Sequence, residues 1–153
     1  MLKLGRMTDY AVMVMGHMAQ RHGKLQTTSD VVISTGLPVP TVSKLLHRLA
    51  ELELLTATRG RKGGYRMDRG IWDISVAEII GGFEGPIALT ECLPEGGGFC
   101  DFEDRCRVGG RWTAVASAVQ QVLDDLTLAD MLGNTPRNLG GPAQAGQPVS
   151  SAH

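Results

Sequence analysis

Two short helical segments joined by a tight turn, with a basic ribbon directly after them, constrain the fold more than any other feature. Thr28 or Ser29 caps the first segment, and Gly36 ends it. Pro40 suits the first position of the second segment, which continues to about Leu52. Two such helices around a short turn that contains glycine are the outline of a helix-turn-helix.

The second of these helices has two chemically distinct faces when its residues are placed about 100° apart. The buried face is apolar and consists of Val42, Leu45, Leu46, Leu49 and Leu52. The opposite face carries Thr41, Ser43, Lys44, His47, Arg48 and Glu51. Its donors suit phosphates and base edges, so we expect Thr41, Ser43, Lys44, His47 and Arg48 to contact DNA. In an isolated helix the alternative is an ordinary solvated face.

The ribbon that follows has a cationic tip. Residues 55–58 and 65–67 alternate in polarity as strands do, and a glycine-rich turn separates them. The tip carries Arg59, Arg61 and Lys62. This order of elements predicts a winged helix, in which the helix enters the major groove and the wing contacts the backbone or the minor groove. A basic hairpin that only aids solubility is the alternative.

The charge is unevenly distributed although the net charge is only −1. Residues 41–70 contain seven basic and three acidic side chains, whereas residues 91–130 contain eight acidic side chains and three arginines. A phosphate-binding face responds to the local charge, so the near-neutral total does not exclude nucleic acid as a partner.

Two longer helices frame this unit. Apolar spacing predicts a first helix over 8–20, capped by Thr8 or Asp9. A second is expected over 110–126, and its apolar side carries Trp112, Val115, Val119, Val122, Leu123 and Leu126. Pairing of this helix with its copy would give a two-fold dimer, and packing onto its own domain is the alternative.

Two shorter helices are marked by their caps. Ser75 and Glu78 form a capping-box pattern, which predicts a helix over 74–80 that ends at Gly81–Gly82. A final short helix is expected over 127–132.

Three cysteines lie within fifteen residues, at positions 92, 100 and 106. An odd number in a chain without an export signal makes a disulfide framework a poor interpretation. The spacing does not match the paired ligands of structural zinc. Thiolates are the usual ligands of iron–sulfur clusters, so Cys92, Cys100 and Cys106 are candidate cluster ligands. Zinc or free thiols remain alternatives from spacing alone. By chemistry, a fourth ligand could come from His17, His22, His47 or Asp9.

With these motifs in order, the chain resembles the IscR/NsrR family of bacterial regulators, which are dimeric winged-helix proteins carrying an iron–sulfur cluster. The resemblance covers residues 1 to about 132. It is dense at 4–12, at 59–65, at 74–80, and at the cysteine triplet with Trp112. The opening Thr-Asp-Tyr-Ala-Val looks most like the branch that regulates the SUF iron–sulfur assembly system.

The resemblance implies a specific ligand set. Cys92, Cys100 and Cys106 correspond to the cysteines that bind the cluster in the family. In the assembly-regulator type, the fourth ligand is a histidine three residues after the last cysteine, and that position is Gly109 here. In the nitric-oxide-sensing type, it is an aspartate at the start of the first helix of the other subunit, and Asp9 occupies that position. A first-turn carboxylate favoured by the helix dipole is the alternative for Asp9. Whether the cluster is [2Fe–2S] or [4Fe–4S] stays open.

We therefore expect a mainly α fold with a small β-wing, that is, a winged helix-turn-helix plus a long dimerisation helix. Residues 1–82 would be the DNA-binding domain, 83–109 the cluster-binding loop, 110–132 the dimerisation helix with a short final helix, and 133–153 a disordered tail.

The expected function is a cluster-sensing, sequence-specific repressor of iron–sulfur assembly or stress genes. Its partners would be a palindromic double-stranded operator and a second copy of the chain, with no membrane and no small-molecule substrate. No apolar run reaches the roughly 20 residues of a membrane span, and no signal-peptide pattern is present, so we expect a cytoplasmic protein. No catalytic constellation supports an enzyme. A cluster-free thiol switch, in which Cys100 and Cys106 oxidise to a disulfide, is the alternative regulator.

Overall fold

The computed structural model describes residues 3–90, 93, 96–98, 101, 105–108 and 111–134. Over these residues it consists of α-helices and one small sheet. In chain order they are α1 (Arg6–Gln20), α2 (Thr28–Thr35), α3 (Val39–Glu51), β1 (Thr56–Thr58), β2 (Gly64–Arg66), α4 (Val76–Glu84), α5 (Arg111–Asp125) and α6 (Leu128–Met131). The predictions for Cys92, Cys100, Gly109 and the tail beyond Asn134 lie outside these residues.

The core is formed where α1, α2, α3 and α4 meet. Its fully buried side chains are Ala11, Val14, Met15, Met18, Val31, Val42, Leu45, Leu46, Leu49, Met67, Ile74, Ile79 and Leu128. The apolar face predicted for α3 is confirmed from Val42 to Leu49, while Leu52 lies just past the helix end and is only half-buried. The polar face of α3 is therefore directed away from the core.

The turn between α2 and α3 forms as the sequence predicts, except at one cap. Gly36 ends α2 in the left-handed conformation, and Pro40 lies in the first turn of α3. The expected cap at Thr28 or Ser29 is wrong, because Thr27 accepts from the amide of Asp30. The carboxylate of Asp30 accepts from the Thr27 amide in return, which completes a capping box one residue earlier.

The wing is a two-stranded antiparallel ribbon in which Thr56 pairs with Arg66 and Thr58 with Gly64. A third segment extends it, because Gln26 and Tyr65 exchange backbone hydrogen bonds of 2.8 and 2.9 Å. The connector between α1 and α2 thereby fixes the wing to the helical core.

The predicted caps of α1 are wrong. The helix begins at Arg6, and its N-cap residue Gly5 has no side chain to offer. Glu84 of α4 caps it instead: its Oε1 accepts from the Gly5 amide at 2.7 Å and from the hydroxyl of buried Thr8. Both donors hold the pKa of Glu84 below its usual range, and the Thr8 hydroxyl has the larger effect.

The capping box of α4 is confirmed, since Ser75 accepts from the Glu78 amide and the Glu78 carboxylate accepts from the Ser75 amide. The predicted end at Gly81–Gly82 is wrong, because the helix continues to Glu84. Gly82 packs so closely on Leu52 that a Cβ there would overlap the leucine side chain. This glycine allows a close helix approach and does not end the helix.

α5 begins one residue later and ends one residue earlier than predicted, and no side chain in it is buried within the chain. After α5 the backbone returns to the core: Leu128 donates to Ile74 O and Val76 donates to Leu126 O, both at 2.8 Å. The short final helix is confirmed, with a capping box of Thr127 and Asp130.

The winged-helix fold class is thus confirmed, while the division into four segments stays a prediction. Among the described helices, none combines the length and the apolar character needed to cross a membrane.

Glu78 allows a test of its ion pair with Arg69, beside the start of α4. Its carboxylate accepts both terminal nitrogens of Arg69, at 2.9 and 3.1 Å, and this pairing is the main cause that lowers the pKa of Glu78 from its usual 4.5. The ionised Glu78 therefore stabilises the fold above about pH 4.5, its usual pKa, and this stabilisation is lost as the pH falls through the lower pKa of the folded state. Because both side chains are about two-fifths exposed, we expect Glu78→Gln to lower the unfolding free energy at neutral pH by about 0.5–1 kcal/mol.

Urea denaturation from about pH 7 to about pH 3 measures this effect. The difference between wild type and Glu78→Gln should shrink towards zero in acid, whereas Asp124→Asn, an exposed carboxylate of α5, should show little effect at any pH. A difference that stays constant or grows in acid contradicts this role of Glu78.

Candidate nucleic-acid interface and cysteine segment

The outer face of α3 carries the side chains that the sequence predicts as DNA contacts. Ser43, Lys44, His47 and Arg48 are exposed, and Thr41 is half-buried. Ser43 and Lys44 make no side-chain hydrogen bond or ion pair with any described residue. The His47 ring, at 74% side-chain exposure, lies 3.2 Å from the Glu51 carboxylate one turn further along. The first part of this face is thus free to meet a ligand.

Arg48 differs from these residues because its guanidinium already has protein partners. Its Nε and Nη2 donate to the carbonyl of Gly82 at 3.1 and 2.9 Å, and its Nη1 donates to Glu51 at 3.0 Å. The sequence contains no local signal for the contact with Gly82, which lies 34 residues away.

The wing tip presents three exposed cations, Arg59, Arg61 and Lys62. None of them forms an ion pair with a described residue, whereas Arg66 on β2 is paired with Asp68 at 2.6 Å. The tip is tightly folded: the Gly63 amide donates to Gly60 O at 2.9 Å, and a Cβ at 63 would overlap the backbone oxygen of Thr58. The wing therefore holds unpaired positive charges on a compact turn, an arrangement suited to phosphates.

Only part of the predicted cluster site lies within the described residues. Cys106 is half-buried and free, while Cys92 and Cys100 fall outside. Asp9 is exposed in the first turn of α1, and its carboxylate has no side-chain partner in the described chain. Within the described ranges, no group of three or more His, Cys, Asp or Glu side chains is placed to hold a metal ion. Asp9 and Cys106, the two predicted ligands that the structure describes, are therefore not part of such a group.

The other candidate ligands are engaged elsewhere. The His17 ring nitrogen lies 2.7 Å from Gln26 Oε1, and the His22 ring nitrogen lies 3.2 Å from the carbonyl of Arg69. His47 pairs with Glu51. Of the four side chains proposed from chemistry, only Asp9 has no partner among the described residues. By chemistry, the thiolates of the three cysteines are of the type that holds iron–sulfur clusters.

A helix with an exposed polar face, a cationic wing and a helical scaffold define a winged-helix DNA-binding regulator. The chain belongs to the Rrf2 family, whose model, described as an iron-dependent transcriptional regulator, matches residues 4–134. It is therefore a DNA-binding transcriptional regulator of that family.

Relatives and solved structures agree with this assignment. The HTH-type transcriptional regulator NsrR of Shouchella clausii is 27% identical over 134 residues, which cover 87% of this chain and 90% of that protein. The structure of T. potens IscR is 29% identical with a TM-score of 0.60, covering 87% of this chain and 88% of that one. CymR, the global cysteine regulator of B. subtilis, is 27% identical with a TM-score of 0.65, covering 88% and 99%. The resemblance is confirmed for the family, and the SUF branch stays a prediction.

The wing charges provide a direct test. Each phosphate contact made by a cation adds about one counterion to the salt dependence of DNA binding. We expect Arg61→Ala to flatten the plot of log Kd against log salt by about one unit, measured on a duplex that the wild-type protein selects from a random pool. Arg111→Ala removes the same charge from α5 and should leave the slope unchanged. An unaltered slope for Arg61→Ala rejects a phosphate contact at this position.

Proposed function

We propose that the protein is a homodimeric, iron–sulfur-cluster-sensing repressor of iron–sulfur assembly or stress genes. The observation that carries this proposal is the triplet Cys92, Cys100 and Cys106 in a chain of a family described as iron-dependent. The cluster type, [2Fe–2S] or [4Fe–4S], is left open. The proposed role of the protein is regulatory and not enzymatic. Because the proposed partner is DNA, the proposed location is the cytoplasm.

We propose Asp9 of the other subunit as the fourth ligand. Three observations support Asp9: it is exposed on the first turn of α1, it has no side-chain partner in the described chain, and the competing histidines have partners. A carboxylate on an outer surface is accessible to a second copy of the chain. A bound cluster would supply an iron site whose ligation responds to oxidants, nitric oxide or iron supply.

The exposed face of α5 supports a dimer. Trp112, Val115 and Val122 are 40, 45 and 58% exposed, an unusual state for large apolar side chains on one helix. Val119 and Leu123 of the same helix line a cleft of about 510 Å³. The rest of its apolar lining comes from Leu4, Ile80, Pro86, Ile87, Ala88 and Leu89. α5 also contacts α4 of its own chain. A second α5 would cover the exposed side chains that this contact leaves, which supports a two-fold pairing.

In the proposed dimer, α1 of one subunit and the cysteine segment of the other are tied together through Asp9. Such a tie can change DNA affinity only by the difference in free energy between DNA-competent and incompetent arrangements. Thr41, Ser43, Lys44 and His47 would then meet base edges and phosphates, with Arg59, Arg61 and Lys62 on the flanking backbone. A palindromic operator would match the two-fold symmetry.

The cluster is tested by anaerobic purification followed by iron analysis and visible absorbance. We expect iron and colour in the wild-type protein and neither in Cys106→Ala. Asp9→Ala should lose its colour in air about tenfold faster or more, in line with the cost of disturbing a metal site. Asp124→Ala removes an exposed carboxylate from α5 and should behave like wild type.

Wild-type protein without iron contradicts cluster sensing, and a Cys100–Cys106 disulfide in air would then support the thiol switch. Unchanged colour loss in Asp9→Ala removes Asp9 from the ligand set and leaves the three cysteines.

The dimer is tested by placing a charge on α5. We expect wild type to be dimeric and Val122→Glu to be monomeric at micromolar concentration in light-scattering chromatography, because the interface would bury an unpaired carboxylate. Ile33→Glu is the matched control, since Ile33 is 82% exposed on α2 and lies outside the proposed interface. A dimeric Val122→Glu or a monomeric wild type contradicts the assignment of this face.

A further inference from the structure

The last turn of α4 joins two other helices by contacts on neighbouring residues. The carbonyl of Gly82 accepts two donors of Arg48, which lies on the recognition helix α3. Two residues further on, Glu84 accepts from the Gly5 amide and the Thr8 hydroxyl at the start of α1. The recognition helix is thus linked to the first turn of α1 through three residues of α4.

The contact at Gly82 depends on an unusually close approach of α3 and α4. A Cβ at position 82 would overlap the Cδ1 of Leu52, directly after the end of α3. Glycine removes this obstacle and lets its own carbonyl come within 2.9 Å of the Arg48 guanidinium.

The carbonyl of Gly82 is also chemically suited to bind an arginine. Carbonyls in the last turn of a helix have no intrahelical amide partner, and the helix dipole makes that end negative. Arginine offers a planar fork of donors, which can meet one carbonyl with Nε and Nη2 while Nη1 reaches Glu51. A lysine keeps the charge but has a single nitrogen, so it cannot reproduce the paired Nε and Nη2 contact with one carbonyl.

We propose that Arg48 is a positioning residue that fixes the recognition helix against α4, whereas Lys44, one turn earlier on the same face, contacts DNA directly. The inference rests on the proposed function only in taking α3 as the recognition helix. It assigns the donors of Arg48 to the protein and not to DNA.

The experiment compares a DNA-contacting arginine with a positioning arginine. Full-length protein, purified anaerobically, is titrated into a fluorescent duplex that the wild type selects from a random pool, at several salt concentrations. The variants are Arg48→Ala, Arg48→Lys, Gly82→Ala, the double variant Arg48→Ala/Gly82→Ala, and Lys44→Ala.

A positioning role predicts that Arg48→Ala weakens binding about tenfold with an unchanged salt slope, as expected for loss of one charge-assisted hydrogen-bonded contact. Arg48→Lys should be equally weak although it keeps the charge. Gly82→Ala should have a similar effect, and the double variant should be no weaker than either single variant, because both remove the same contact. Lys44→Ala should flatten the salt slope by about one unit.

A direct DNA contact predicts other results, and any of them overturns the inference: rescue by Arg48→Lys, a flatter salt slope for Arg48→Ala, or additive effects in the double variant. Should Gly82→Ala fail to fold, the affinities and salt slopes of Arg48→Ala and Arg48→Lys still decide between the two roles. Absence of any selected duplex for wild type would overturn the DNA-binding function itself, and this inference with it.

Discussion

Burial of one face of α3 is the interaction on which the rest of the structure depends. Val42, Leu45, Leu46 and Leu49 are fully buried, and each such side chain contributes about 1.5–3 kcal/mol relative to exposure. An exposed ion pair contributes about 0–1 kcal/mol. The apolar contacts therefore set the rotation of the helix about its axis, and the polar residues face outward as a consequence.

Much of the fold could be predicted from the sequence because its signals are local. The capping box joins Ser75 to Glu78, three residues apart, and Gly36 ends α2 by a bond to Val32, four residues before it. Signals of such short range can be recognised in the sequence. The same holds for the alternation in the wing. The cap of α1 is different, because Glu84 lies 79 residues from Gly5, whose amide donates to it. A cap that tertiary packing supplies leaves no sequence pattern beside the helix that it caps.

The candidate site could be predicted only in its residue types. The sequence places Lys44, His47 and Arg48 on one polar face, but it cannot distinguish a free cation from one that the fold has engaged. That distinction arises from the position of α4, which follows from the close contact at Gly82. The two glycines at 81 and 82 resemble a helix end in sequence, and their role in packing becomes visible only when Leu52 lies beside them.

The position of α5 connects the interior of one subunit to the geometry of the proposed dimer. Its C-terminal end is fixed to the winged-helix unit, because Ser75 pairs with Thr127 and the amide of Val76 donates to Leu126 O. α6 is anchored in turn by the buried side chain of Leu128. An exposed apolar helix held in this way cannot tilt without disturbing the start of α4. In a two-fold dimer formed through α5, the separation of the two recognition helices would follow from this anchoring. For major-groove binding, that separation has to match about 34–36 Å, one turn of DNA, or a multiple of it.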